Sequence, residues 1–311
     1  MRASRLLVVP VAVAVVLVPS AAFAATMFGP NESWTGGPYY GSRATKFADV
    51  NGDKKVDAIA INSNGLYVAL SDGTRFVGSA VPWSGAFYGS VGTYFADVTG
   101  DGKADAIAVN TSGVFVKPST GTAFGTTAPW TTGPYYGSQD TAIADVDGDG
   151  KADAIAVNTA GVFVKRSTGI AFGTTQKWSG PFYGTKATRF ADVDGDGKDD
   201  AIAVNPGGTT VRLSTGSSYP VNGPTASQVV GGKRLVFASD VNGDGKADAV
   251  DFASSPVTVF YSTGTTFDTG HAWTVGPFYG NIVTQCFDVT GDGLADAIAV
   301  NTTKITVRRA I

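Results

Sequence analysis

Apolar residues in this chain come in short runs rather than long stripes. In one representative stretch Gly92 to Val98 leads into a polar loop, Asp105-Ala-Ile-Ala-Val-Asn110 follows as an apolar run, Gly113-Val-Phe-Val-Lys117 alternates, and Gly121-Thr-Ala-Phe124-Gly125 comes after a Ser-Thr-Gly turn. Each run is short, rich in β-branched or aromatic side chains, and bounded by Gly, Asn, Ser or Thr. That is the pattern of strands. No long window shows the apolar period of a helix, so no helix is expected. The stretch predicts four strands.

The same stretch recurs along the chain. An acidic loop opens at Asp49, Asp97, Asp145, Asp192, Asp240 and Asp288, at almost constant spacing. A unit of this length cannot bury its own apolar face and must stack on its neighbours. Four-stranded antiparallel units of this size close radially, which protects their sheet edges. The termini test the idea. Aligning the last unit on the second sets Ile311 opposite Thr120, so the last unit lacks its fourth strand. Aligning the start sets Ala25 opposite Gly121 and Phe28-Gly29 opposite Phe124-Gly125, with Trp34 following Phe28 as Trp130 follows Phe124. The expected fold is all-β, a six-bladed β-propeller of four-stranded antiparallel blades whose last blade is completed by the N-terminal strand.

The loops read Asp145-Val-Asp147-Gly-Asp149-Gly-Lys-Ala-Asp153 in the third unit and Asp192-Val-Asp194-Gly-Asp196-Gly-Lys-Asp-Asp200 in the fourth. Carboxylates at positions 1, 3, 5 and 9, with glycine at 6 and a carbonyl offered by position 7, match the first part of an EF-hand calcium loop. Hard oxygen donors without nitrogen or sulfur favour Ca2+ over zinc. The remaining loops offer Asp49, Asn51, Asp53 and Asp57; Asp97, Thr99, Asp101 and Asp105; Asp240, Asn242, Asp244 and Asp248; and Asp288, Thr290, Asp292 and Asp296. An Asp-Gly turn alone would explain one such loop, but carboxylates crowded into six turns repel one another unless a cation joins them. Up to six structural Ca2+ ions are therefore expected. The first loop is the weakest, because Lys54 stands where glycine supplies a positive φ.

Phe-Ala-Asp-Val-x-Gly-Asp-Gly-x-x-Asp-Ala-Ile, followed by Gly-Val-x-Val and Thr-Ala-Phe-Gly, resembles the FG-GAP or VCBS repeats of integrin α-chain propellers and of fungal and bacterial propeller lectins. The resemblance spans essentially the whole chain from Ala25 onward and implies a calcium-binding propeller. It implies function less closely, since such repeats serve adhesion, sugar binding and enzyme accessory modules. The chain departs from the fungal lectins before the first strand, where it lacks their basic residues, so none of their binding residues is carried over.

A second motif precedes the first strand of five units. It pairs a tryptophan with an aromatic-Tyr-Gly triplet: Trp34 with Tyr40, Trp83 with Tyr88, Trp130 with Tyr136, Trp178 with Tyr183, and Trp273 with Tyr279. In a four-stranded meander this connection lies at the end opposite the acidic loops. The asparagines closing the second strands, Asn62, Asn110, Asn158, Asn205 and Asn301, lie at the same end. The fifth unit lacks the tryptophan and the Tyr-Gly pair between Tyr219 and Val236 and has Ala253 in place of asparagine, yet it keeps its acidic loop. Aromatic faces beside amides suit a sugar, and shallow sites repeated around a ring gain by multivalency. These fifteen residues are the candidate glycan ligands. Packing between blades is the competing reading for the tryptophans and the first aromatics, whereas the invariant tyrosine hydroxyl calls for a polar partner. Arg43, Gln139 and Lys186 vary beside the motif, so the sites are not expected to be equal.

Composition adds an address. Arg2 and Arg5, the apolar run Leu6 to Val18 and Ala22-Phe23-Ala24 read as a secretory signal peptide over 1–24, leaving one domain over 25–311. No segment reaches the ~20 apolar residues of a membrane span. Without the signal arginines, 21 basic side chains face 26 acidic ones, and no basic patch points to nucleic acid. Of 25 aspartates, 20 sit at positions 1, 3, 5 or 9 of the loops. Cys286 is expected to be a buried small hydrophobe. The single histidine, His271, has no catalytic partner at a recognisable spacing, and no nucleophile elbow, zinc motif or phosphate loop occurs. The expectation is a secreted, non-enzymatic, glycan-binding propeller; the alternative is a module that binds another secreted or cell-surface protein.

Overall fold

The computed structural model describes residues 27–78, 81–221, 235–252 and 255–311. The proposed signal peptide, Ala253 and the connection over 222–234 lie outside the described residues. Six antiparallel sheets, one per repeat, make a six-bladed propeller without a helix among the described residues. The second blade shows the plan: Gly92–Ala96 innermost, then Asp105–Asn110, Gly113–Lys117 and Ala128–Pro129 outermost. The innermost strands, Ala44–Ala48, Gly92–Ala96, Asp140–Ala144, Ala187–Ala191, Leu235–Ser239 and Val283–Phe287, lie side by side in succession around the axis.

The second strand of each blade is buried on both faces, which is why Asp105–Asn110 and its counterparts read as continuous apolar runs rather than as an alternation. One face packs on the blade before and the other on the blade after. Ile107 and Val109 join the core shared with blade 3, while Ala106 and Ala108 join the core shared with blade 1. The small residues of one blade thus receive the branched residues of the blade before it. The fourth blade shows three strands, Ala187–Ala191, Asp200–Asn205 and Gly208–Arg212; the position expected for its fourth falls within 222–234.

The chain ends meet as the alignment requires. Glu32–Ser33 pairs with Ile305–Arg308, and Phe28 bridges Ala310 as Phe124 bridges Ser119 within blade 2. Phe28 N donates to Trp273 O as Phe124 N donates to Trp83 O, and Gly29 N donates to Arg309 O as Gly125 N donates to Pro118 O. The closing strand therefore repeats the internal register. Cys286 is 1% exposed and sits in the core between blades 5 and 6, as a small hydrophobe would.

Candidate functional site

The acidic loops lie at one end of the ring. In each, the position-1 carboxylate accepts hydrogen bonds from the backbone N–H groups of positions 4 and 6 at 2.6–2.8 Å, which curls the loop around it. Position 6 needs a positive φ for this. Glycine supplies it in five loops, for example Gly102 at φ 82°, and Lys54 adopts φ 65° in the first, the only such non-glycine among the described residues. That conformation costs roughly 1–2 kcal/mol without glycine.

The position-9 aspartates, Asp57, Asp105, Asp153, Asp200, Asp248 and Asp296, are fully buried. One oxygen accepts from the N–H of position 2 of the same loop at 3.0–3.4 Å. The other accepts from a backbone N–H at or just beyond the end of the third strand, such as Ser119 N at 2.8 Å. Each therefore fastens loop, second strand and the next turn together. Burial pushes the carboxyls of Asp57, Asp153, Asp200, Asp248 and Asp296 up to about 7 and that of Asp105 up to about 6; the backbone donors pull the other way. Neighbouring loop carboxylates add to the rise. A cation in the loop would oppose both causes.

Carboxylate oxygens of Asp145, Asp147 and Asp149 lie within 4.8 Å of one another, as do those of Asp192, Asp194 and Asp200. These are the two loops with aspartate at position 3; the other four present Asn51, Thr99, Asn242 or Thr290 there. The donor set is all oxygen and fits a hard divalent cation. Sequence reasoning assigned position 7 a carbonyl alone. Its lysine also has a role: Lys55, Lys103 and Lys151 pair with the position-5 carboxylates Asp53, Asp101 and Asp149 at 2.8–2.9 Å. The stem of Lys103 lies over Gly52 of the preceding loop at 3.1 Å from the place a Cβ would take.

These loops are joined into one circle. The N–H of position 8 donates to the position-1 carbonyl of the preceding loop at 2.7–2.8 Å at all six seams, including Val56 N to Asp288 O where blade 1 meets blade 6. Ser71, Ser119, Ser167, Ser214 and Ser262 each donate Oγ–H to the position-2 carbonyl of the preceding blade at 2.5–2.6 Å. Ala310 occupies the sixth such position, so the seam between blades 5 and 6 lacks that bond.

The aromatic motif lies at the opposite end, beside the turn between the second and third strands, as the meander requires. Its members part company there. Trp34, Trp83, Trp130, Trp178 and Trp273 are 1–9% exposed. Their rings pack between blades, against Phe76, Phe124, Phe172, Tyr219 and Phe28 at centroid distances of 4.8–5.7 Å. The assignment of the tryptophans as sugar platforms is corrected: no open ring face is left to stack on.

The asparagines are corrected in part. Oδ1 of Asn62, Asn110, Asn158, Asn205 and Asn301 accepts the N–H of the residue after the Tyr-Gly pair at 2.7–3.0 Å. The glycine is needed because a Cβ on Gly41, Gly89, Gly137, Gly184 or Gly280 would collide with backbone oxygens, those of Asp140 and Val157 in the case of Gly137. Tyr-Gly and Asn are thus two halves of one clasp, which accounts for their joint absence from the fifth unit without any ligand. Gly137→Ala is expected to cost about 1–3 kcal/mol through overpacking, seen as a lower urea midpoint with an unchanged slope. A wild-type midpoint would show that the clasp gives way freely.

The second tyrosines stay in play. Tyr40 and Tyr136 are 39% exposed and Tyr279 is 51% exposed. Tyr88 is half-buried beneath Arg43, whose guanidinium carbon lies 3.6 Å from the ring centroid, and Tyr183 is half-buried against the core between blades 3 and 4. The five positions are therefore unequal, three exposed and two half-buried. At blade 3, Tyr136 and Asn158 line one cavity of ≈ 340 Å³ with Pro134, Tyr135, Phe163 and Thr175. His271 pairs with Asp268 at 2.7 Å and stacks on Tyr261, whose hydroxyl accepts from Trp273 Nε1 at 3.0 Å.

Solved structures share this architecture. An Agrocybe aegerita lectin, described for specific recognition of non-reducing terminal N-acetylglucosamine, superposes with a TM-score of 0.61 at 23% identity, over 82% of this chain and 73% of that one. The Photorhabdus luminescens Tc holotoxin pore gives a TM-score of 0.64 at 16% identity, over 92% of this chain but 15% of that one. At these identities the likeness is one of fold. No curated protein matches the sequence. The model of the FG-GAP-like repeat matches residues 49–108, 145–203 and 192–250, each match beginning at the first aspartate of an acidic loop. Those segments take in more than half of the chain, and the protein belongs to the FG-GAP-like repeat family.

Proposed function

We propose that this protein is secreted and non-enzymatic, and that it binds glycans weakly at several positions on a ring held together by Ca2+. One observation carries the glycan reading. At blade 3 an exposed tyrosine, Tyr136, shares a cavity with the amide of Asn158, and Tyr40 and Tyr279 present the same exposed ring at blades 1 and 6. A ring face against the C–H face of a sugar, with polar groups beside it, is the usual chemistry of a shallow carbohydrate site. The fold shared with an N-acetylglucosamine-recognising lectin supports the same reading.

Three of the five tyrosines are exposed, so three sites are expected rather than five. Calorimetry and glycan arrays on the calcium-loaded protein test this, starting with N-acetylglucosamine. Each aromatic contact is worth about 0.5–1.5 kcal/mol, so each of Tyr40→Ala, Tyr136→Ala and Tyr279→Ala is expected to weaken one site by about 2- to 13-fold, and the triple variant all three, with no change in melting temperature. Absence of glycan binding at millimolar sugar by a folded protein would reject the reading. Tight one-to-one capture of a protein, insensitive to the three tyrosines, would favour the adhesion alternative instead.

A further inference from the structure

A cavity of ≈ 390 Å³ opens between blades 1 and 2, at the aromatic end of the ring and beside its axis. Arg43, Lys46, Tyr88, Thr93 and Tyr94 contribute its polar and aromatic lining, and no carboxylate lines it. Lys46 is the middle residue of the innermost strand of blade 1, and Arg189 is the middle residue of the innermost strand of blade 4. Blades 1 and 4 are diametrically opposed in a ring of six, so the two cations face each other across the central channel. The middle positions of the innermost strands of blades 2, 3 and 6 are Tyr94, Ala142 and Gln285; none is acidic. Asp140, at the start of the innermost strand of blade 3, also reaches this axis, where it pairs with Arg189; Lys46 is the axial cation without a carboxylate partner among the described residues.

The cations differ in how they are satisfied. Arg189 has Asp140 at 3.6 Å and the carbonyl of Thr188 at 2.7 Å. Lys46 has neither a hydrogen bond nor an ion pair among the described residues. Arg43 rests its guanidinium on the face of Tyr88 at 3.6 Å and likewise has no carboxylate partner among the described residues. Lys46 is exposed to the channel, whose walls partly desolvate it; this, followed by the repulsion of Arg189, lowers the pKa of its ammonium below the ordinary lysine value. An ammonium held there without an anion costs free energy that a bound anion would return.

We propose that this cavity is an oxyanion site, one per chain, that takes a carboxylate- or sulfate-bearing ligand between Lys46 and Arg43. Arg43 supplies planar N–H donors suited to a two-oxygen group, and Lys46 supplies a point charge. The site is distinct from the exposed tyrosines in number, in place and in the charge of what it binds.

The test is calorimetric titration of the calcium-loaded protein at low ionic strength with sulfate and with D-glucuronate, using neutral glucose as control. One saturable site per chain is expected for at least one of the two anions, and the stronger of them identifies the oxyanion type. Lys46→Met is expected to weaken it about tenfold or more, the loss of a charge-assisted contact. Removing an uncompensated charge should not lower the melting temperature of Lys46→Met, so lost binding would not reflect lost folding. Lys304→Met, an exposed cation on blade 6, should leave the anion site unchanged. The Tyr40, Tyr136 and Tyr279 triple variant should also keep it, which separates this site from the glycan reading. No saturable binding of either anion at millimolar concentration, or binding that survives Lys46→Met, would overturn the proposal.

Discussion

Chelation of calcium is expected to lower the melting temperature of this protein by on the order of 15 °C, in a single transition. The magnitude follows from linkage: at about 1 mM free Ca2+ and a dissociation constant of about 0.1 mM, each site stabilises by roughly 1.4 kcal/mol. Six sites reach about 8 kcal/mol, and a chain of this size shifts by about 2 °C per kcal/mol. The single transition follows from the circle of loops. Each position-8 N–H is bonded to the preceding loop at all six seams, so loosening one loop slackens its neighbours. Scanning calorimetry with and without EGTA reads both features, and readdition of Ca2+, but not Mg2+, should restore the curve. A melting temperature unmoved by EGTA would reject structural calcium, and the loops would then be Asp-Gly turns organised by the position-1 carboxylate alone.

Much of the fold was legible because it is a matter of spacing. The near-constant interval between acidic loops, the strand runs inside it, and the complementary start and end placed Phe28 opposite Phe124, and the structure bridges both in the same way. Lys54 was legible too, since position 6 of the loop leaves a lone lysine no choice but φ 65°. Recurrence, however, marks a residue that every blade needs without saying what the blade needs it for. Trp130 and Tyr136 recur together, yet one faces the neighbouring blade and the other faces water. The joint loss of Tyr-Gly and Asn looked like the loss of a ligand site because a sequence does not show that Asn158 Oδ1 accepts Ser138 N. Lys46 and Arg189 are hidden for the opposite reason: neither recurs, and only closure of the ring brings the innermost strands of the first and fourth repeats to face each other.

Trp130→Ala and Tyr136→Ala should fail in opposite ways, although the two residues belong to one motif. Trp130 is 4% exposed and packs on Phe172 at 5.1 Å in a T-shaped contact within the core between blades 2 and 3. Truncating a buried tryptophan costs about 3–5 kcal/mol, the lost burial plus the cavity left behind. That is a large part of the roughly 5–15 kcal/mol expected of a folded domain. Urea melts should therefore show a sharply lower midpoint for Trp130→Ala, with glycan affinity per folded molecule unchanged at the other blades. Tyr136→Ala should keep the wild-type midpoint within about 0.5 kcal/mol, as surface substitutions do, while one class of glycan site weakens by about 2- to 13-fold. Trp34→Ala carries the sharper consequence. That ring is 1% exposed and seals the core between blades 6 and 1, beside the strand that closes the ring. Its loss weakens closure as well as packing, so it should cost at least as much as Trp130→Ala and raise the calcium needed for folding. If Trp34→Ala and Tyr136→Ala were instead equally stable and equally deficient in sugar binding, the motif would act as one ligand platform, and the separation of packing from recognition would be wrong.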